Sequence, residues 1–498
     1  MSSKKKGPFR LDQRQLAVYF DIHSWFGVVG GIALFICCFS GSLALFEREI
    51  LDWEIPQSRR EAIENPVSID ELVRIAYSEL PTAAAKQAFV WLPGPNRATF
   101  NMRANDDEGN FVQVHLDPVT GEVVPWPESS AFRFLTHLHT DLHLPRPFGR
   151  YLVGFLGVFM MVSLISGVLA HPKVLQQLFL MRWRPRLSLT VRDLHVQLGA
   201  WGLVFGSVMA FTGAVIGLLG LFAPVMVLSA FDGDVEKASE AFFGASAEET
   251  GVDAEMRRLE PLIERVESEH PAFEVRSFTL RNHGDEAAEV GLNLEHREHR
   301  SIVSGETHQF SLVTGEAGHV AKFTNRGLGT RLFGAVQPLH YGEFGGLGLR
   351  LIYFVSGAVL SLGIATGNVL WFERRRRRDG ARRSHFVLRR LTLGACLGLV
   401  LASVACIGCG RFVGTAMQPV FWSVWLLSAV VAFVPGPGIR LLRWGAFASA
   451  AGALIIGVAD LAFSPLLTPR VVRVDLVLIG TALFLGAGAA LLPSKAAD

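Results

Sequence analysis

The chain is poor in charge. Of its 498 residues only 18% are charged, whereas 50% are hydrophobic and the mean hydropathy is +0.34. A soluble protein of this length needs more polar surface, so the composition excludes a soluble globular chain and points to several membrane spans. Cysteine is scarce as well. All five, Cys37, Cys38, Cys396, Cys406 and Cys409, fall in apolar stretches, so no disulfide framework is expected in the polar segments. Cys406 and Cys409 make a C-x-x-C that could act as a redox pair, but small packing residues are the preferred reading. There is no Walker loop and no G-x-G-x-x-G between a strand and a helix, which argues against a nucleotide or flavin site.

What is present is a series of long apolar runs. A span needs about 20 such residues. Eight are expected, at about 24–46, 151–170, 198–219, 351–372, 391–410, 421–434, 444–463 and 476–492. The sixth is short, and Asp460 and Asp475 fall near the ends of the last two. Three segments are strongly basic: the N-terminus, the connection carrying Lys173 to Arg192, and the one carrying Arg374 to Arg390. If spans alternate, these share one side, and the positive-inside rule makes that side cytoplasmic. The run Arg374–Arg378 is therefore read as a topology signal rather than a nucleic-acid patch. The first span is too long for a signal peptide and lacks an A-x-A-like site, so it is read as a retained anchor.

The chain repeats itself. Ser40-Gly41 follow His23 by 17 and 18 positions, and Thr212-Gly213 follow His195 by the same intervals. Gly167 follows Arg150 by 17 positions, as Gly367 follows Arg350. Each half also holds a polar segment of about 100 residues, too long for an ordinary connection. Each has a helix-like stretch, at about 68–80 and 253–270, then strand-like runs such as AFVWL and EVRSFTL, then a Val-Thr-Gly-Glu turn at 119–122 and 313–316. This is a parallel tandem repeat of span, domain and span. For the Ser/Thr-Gly pairs, close helix packing is the preferred reading, and room for a flat cofactor is the other.

Histidines lie at the span ends and never in the middle. His23, His195 and His171 fall at the cytoplasmic side, and His137, His139, His143 and His340 at the external side. A single interfacial histidine is ordinary. The set is not, because haem ligation from both sides needs imidazoles on different helices, and the clusters can meet that need twice. His143 and His171 are 28 positions apart, at most about 42 Å along a helix, so one haem could sit near each face. A zinc-like His139-x-x-x-His143 site ranks second. His296 and His299 are read as a solvated face, and His385 as incidental.

The segments HSWFGVVGG, HTDLHLP before GRYLVGF, ISGVLAHPKVLQQLF, RDLHVQLG and PLHYGEFGGLGLRLIYFVSG, with LDPVTGEV and SLVTGE, resemble the PepSY-associated transmembrane family, iron-regulated proteins that include bacterial siderophore reductases. The resemblance covers about residues 15–380. It implies an inner-membrane protein with about two bis-histidine haem b groups, delivering electrons to a periplasmic ferric siderophore. His23, His171 and His195 become candidates for one haem, and His139, His143 and His340 for the other.

The expected fold is thus a polytopic α-helical membrane protein with two small α+β, PepSY-like periplasmic domains. Its divisions are a first span (15–46), domain 1 (47–147), spans two and three (148–230), domain 2 (231–349), span four (350–373), a basic cytoplasmic loop (374–390) and a four-span extension (391–498). Both termini are expected in the cytoplasm, and no nucleic acid is expected as a partner. Electrons would come from a cytoplasmic reductase or membrane quinol. The competing class is an anchor whose PepSY-like domains bind or inhibit a periplasmic peptidase, and a haem redox protein with another periplasmic acceptor is the other alternative. A parallel-repeat transporter is disfavoured, because spans one to four hold almost no mid-membrane polar residues.

Overall fold

The computed structural model describes residues 11–55, 66–94, 97–127, 130–171, 179, 187–235, 237–238, 247–297, 306–322, 328–380, 382–464 and 466–492. His299, read above as part of a solvated face, and most of the basic connection before residue 187 lie outside them.

The helices that enclose the site come from the repeat. Helix α1 (Gln13–Ala44) starts at a capping box, in which the Asp12 carboxylate accepts from the Gln15 amide and the Gln15 side chain returns to Asp12. The short α2 (Glu47–Glu54) leads to the polar segment. There α3 (Ile69–Glu79) packs on a sheet, and α4 (Ala131–Thr140) leads back to α5 (Phe148–Ala170). The second copy has α6 (Leu187–Trp201), α7 (Leu203–Ala230), α8 (Leu259–Glu269), α9 (Leu328–Tyr341) and α10 (Gly346–Asp379). The extension adds α11 (Arg383–Phe412), α12 (Met417–Val431), α13 (Gly438–Phe463) and α14 (Pro469–Leu491).

Seven of the described helices are long and apolar enough to cross a membrane, and α12 is a shorter apolar helix. The expected third span, 198–219, is displaced: α6 and α7 meet at Gly202, and the long helix runs to Ala230. The expected basic loop at 374–390 is also largely helical. Arginine favours helix, and its charge suits a helix C-terminus, so Arg374–Arg378 continue α10 with Arg375 paired to Asp379 at 3.2 Å and Arg376 to Glu373 at 3.0 Å.

Seven strands form the sheet: β1 (Gln87–Trp91), β2 (Phe100–Asn105), β3 (Phe111–Leu116), β4 (Phe273–Arg281), β5 (Glu289–His296), β6 (Glu306–Ser311) and β7 (Ala317–Lys322). The order is β3-β2-β1-β4-β5-β6-β7, antiparallel throughout. Instead of two separate domains, the two polar segments share one sheet, joined where Phe89 opposes Thr279 and Val90 opposes Phe278. Pairing β1 with β4 removes an exposed edge from each copy. One apolar core serves both, with Val90, Phe100 and Met102 beside Phe278, Leu280 and Leu292.

The helices on this core cap each other. Asp70 in α3 accepts from the Leu259 amide at 2.6 Å, and Glu260 in α8 accepts from the Ile69 amide at 2.8 Å. Each helix N-terminus thus receives a carboxylate from the other copy, which satisfies open amides and suits the helix dipole. The two Val-Thr-Gly-Glu turns also match. Asp117 and Ser311 accept from amides two and three residues on, and Gly121 and Gly315 both have φ of +74°.

The extension is fastened by buried polar contacts. Arg411 pairs with Asp460 at 2.6 Å, and the Trp53 indole donates to Asp475 at 2.7 Å. Polar side chains within apolar helices need such partners. Cys406 and Cys409 are free thiols, with Cys406 buried in the cluster where α11 meets α1 and α4.

Candidate functional site

Four histidine rings sit among the repeat helices in one recurring arrangement. The Nδ1–H of His23 donates to the Ser163 carbonyl at 2.8 Å, and a Cβ on Gly167 would lie 3.0 Å from the ring. His195 donates to the Gly363 carbonyl at 2.9 Å and lies over Gly367, where a Cβ would stand at 2.8 Å. His139 donates to the Cys37 carbonyl at 2.8 Å and lies over Gly41, where a Cβ would stand at 2.6 Å. In all three the accepting carbonyl belongs to the residue four before the glycine. That carbonyl already takes the helical bond from the glycine amide, and its second lone pair takes the imidazole.

The fourth ring varies the pattern. His340 lies over Gly213, with a Cβ there 3.1 Å away, but its Nδ1–H donates to the Thr212 hydroxyl at 2.9 Å. That hydroxyl passes its own proton to the Val208 carbonyl at 2.6 Å. The residues before the other three glycines, Ser40, Ser166 and Thr366, likewise turn their hydroxyls back onto their own helices. The Ser/Thr-Gly pairs do serve close packing, and the group packed there is an imidazole from another helix. Each glycine makes room for an imidazole, and the hydroxyl beside it is consumed locally or, at Thr212, orients the ring.

The rings meet across the two copies. The centres of His23 and His195 are 6.0 Å apart at 53°, and those of His139 and His340 are 6.0 Å apart at 23°. Gly41 is 18 positions beyond His23 on α1, a rise of about 27 Å, so the two pairs lie near opposite ends of the helices. In all four rings Nδ1–H is committed, which fixes the tautomer and leaves the Nε2 lone pair without a hydrogen bond among the described residues. Two imidazoles that shared one iron, each bonded at about 2 Å, would have their centres about 6 Å apart, which is the separation of both pairs.

The surroundings of the pairs differ. His23 and His195 line a cavity of about 600 Å³ whose walls include His171, Met160, Leu360 and Trp371, with Arg192, Arg374 and Arg377 also lining it. His171 caps the end of α5 in that cavity, beside the pair rather than within it. The other pair is packed between α1, α4, α7 and α9.

His143 stands apart from His340. Helix α4 ends at Thr140, and Leu142 and His143 have φ of 54° and 56°, so the helical spacing expected for His139 and His143 does not hold. The His143 Nε2 bonds the Phe134 carbonyl at 2.9 Å, and its ring stacks on Phe134. Burial holds this imidazole below its ordinary range. His137 is half exposed and bonded to Asp141 at 3.0 Å. Burial pushes the Asp141 carboxyl up, but hydrogen bonds from His137 and Arg146 outweigh it and hold the group below its usual range.

The family described as the PepSY-associated TM region matches residues 20–374, which contain all four rings and all four glycines. A protein of Pseudomonas aeruginosa described as uncharacterized is 31% identical over 283 residues, covering 55% of this chain and 71% of that one. By these matches the chain is a membrane protein that belongs to the PepSY-associated transmembrane family.

Proposed function

We propose that this chain carries electrons across an inner membrane through two bis-histidine haem groups and reduces a periplasmic ferric siderophore. The observation that carries the reading is the duplicated ring pair: four imidazoles with Nδ1–H committed and Nε2 free, meeting at 6.0 Å in two places. His23 with His195 would hold one haem, and His139 with His340 the other. Bound there, haem supplies one-electron iron chemistry.

The chain's own residues do the rest. The backbone carbonyls of Ser163, Gly363 and Cys37 fix ring orientation and make each imidazole a better donor at Nε2. The four glycines let the rings lie close against the helices. Leu34, Met160 and Leu360 surround the first pair with apolar groups, which limits water and favours a low-dielectric path. Arg192 and Arg374 line the first cavity, along with Arg377 paired to Glu373 at 3.3 Å, and would suit the acidic groups of the cofactor. Reduction would release iron because siderophore oxygen donors favour Fe(III) over Fe(II). The basic segments favour the cytoplasmic side for the first pair, where a reductase or quinol would donate.

The test uses the full chain in liposomes with a ferric siderophore and ferrozine inside and dithionite outside. Fe(II)–ferrozine colour that needs the protein, and is lost in His195→Ala and in His340→Ala, is the expected result. Colour no faster than in empty liposomes contradicts the reading.

A further inference from the structure

One of the four rings is held differently from the rest. His23, His195 and His139 donate to the carbonyl four residues before the glycine they lie over. The matching carbonyl for His340 is that of Met209, and the ring bonds the Thr212 hydroxyl instead, at 2.9 Å. A Cβ on Gly213 would stand 3.9 Å from the His340 Nδ1, against 2.7, 3.0 and 3.3 Å from the Nδ1 atoms over Gly41, Gly167 and Gly367. His340 thus stands off from α7, and the Thr212 hydroxyl fills the interval.

The proton inventory of this contact is fixed. A hydroxyl has one proton. That of Thr212 points to the Val208 carbonyl at 2.6 Å, with the Met209 carbonyl at 3.4 Å. The oxygen can then only accept from the ring, so Nδ1 carries the hydrogen and Nε2 the lone pair. Donating to Val208 also polarises the hydroxyl and strengthens it as an acceptor. Hydroxyls that bond back to their own helix are ordinary, and among the described residues Ser40 and Ser166 do only that. Thr366 comes within 3.5 Å of the His195 Nδ1, but the Gly363 carbonyl takes that ring at 2.9 Å. Ser40 stands where Thr212 stands in the repeat, each one residue before its glycine, so the two copies differ at a matched position.

We propose that Thr212 is a positioning residue whose hydroxyl sets the tautomer and donor strength of His340, and thereby the reduction potential of the haem on the His139–His340 pair. This rests on the haem reading above. A partner on Nδ1–H pushes electron density toward Nε2, and a more basic imidazole favours ferric over ferrous iron. At the other three rings that partner is a backbone carbonyl, which no side-chain replacement removes. At His340 it is one hydroxyl. The potential of the second haem is therefore open to a single side chain, and that of the first is not.

Thr212→Val keeps the side-chain shape and deletes the acceptor. The full chain, purified in detergent, is titrated spectroelectrochemically through both haems. Thr212→Val should raise the midpoint of one haem by about 59 mV, a tenfold gain in the reduced form at the wild-type midpoint for a one-electron couple, and leave the other in place. Thr212→Ser should keep both wild-type midpoints. Ser40→Ala, which deletes the matched hydroxyl where the Cys37 carbonyl carries the ring, should move neither. Selective loss of one haem from Thr212→Val, with both kept in Thr212→Ser and Ser40→Ala, supports the same role through haem content. Unmoved midpoints in Thr212→Val, a downward shift, or an equal shift in Ser40→Ala overturns the proposal. A wild-type chain without haem overturns the haem reading and this proposal together, whereas a loaded chain with unmoved midpoints overturns this proposal alone.

Discussion

The membrane helices and the sheet use one duplicated plan in different ways. In the sheet the copies are joined by hydrogen bonds, through the β1–β4 ladder and the exchanged caps of Asp70 and Glu260. In the membrane each histidine bonds within its own copy, and the facing rings of the two copies stand 6.0 Å apart with no hydrogen bond between them. The sheet is complete as protein. The ring pairs leave four Nε2 atoms without a hydrogen bond among the described residues, and the proposed haem would take them up. Duplication thus supplies hydrogen-bonded alignment at one level and facing ring pairs at the other.

The largest effect that could break this contrast is loss of a ring. His195→Ala should abolish the haem on its side and spare the other, and His340→Ala should do the reverse, as read by haem content per chain. Loss of both haems from either variant would show that the two pairs depend on each other.

Glycine variants sharpen the contrast. A Cβ at Gly41 would lie 2.6 Å from His139, closer than real atoms approach, whereas one at Gly213 would lie 3.1 Å from His340. Gly41→Ala should therefore displace its ring and deplete the haem of that pair more than Gly213→Ala does. Equal retention would mean that the rings shift freely.

The sheet should respond differently. Asp70→Ala removes the cap on α8 and should destabilise the sheet by about 1–2 kcal/mol, measured by chemical denaturation, without altering the haem spectrum. A spectral change would show that sheet and ring pairs are strongly coupled.

The smallest effect is local. Hydrogen bonds from the Ala287, Thr250 and Gly251 amides and the Thr250 hydroxyl, working against burial, hold Asp285 down at about 2. A depressed carboxyl stabilises the fold above its unfolded value near 3.8 and loses that contribution as pH falls toward 2. The acid denaturation profile of Asp285→Asn should be flatter over that window. An unchanged profile would remove Asp285 from the account.

The repeat was legible because spacing survives in sequence: His23 to Gly41 and His195 to Gly213 are the same interval. The span positions were legible from apolar runs, apart from the break at Gly202, where the apolar run from Leu198 into α7 hides the change of helix. What each glycine faces was not legible. Gly41 receives His139 and Gly167 receives His23, contacts that the fold creates between distant positions. The joined sheet was hidden for the same reason, since nothing local tells Phe89 that it will oppose Thr279. The second-ranked His139-x-x-x-His143 site fails because α4 ends at Thr140 and two positive-φ residues, Leu142 and His143, then turn the chain.

The ring pairs are proposed to hold haem. The most direct measurement is the absorbance spectrum of the purified chain, air-oxidised and then dithionite-reduced, with haem quantified as pyridine haemochrome. Sharp reduced α and β bands with about two haems per chain are the predicted result. A haem-free protein purified from haem-sufficient cells would contradict it.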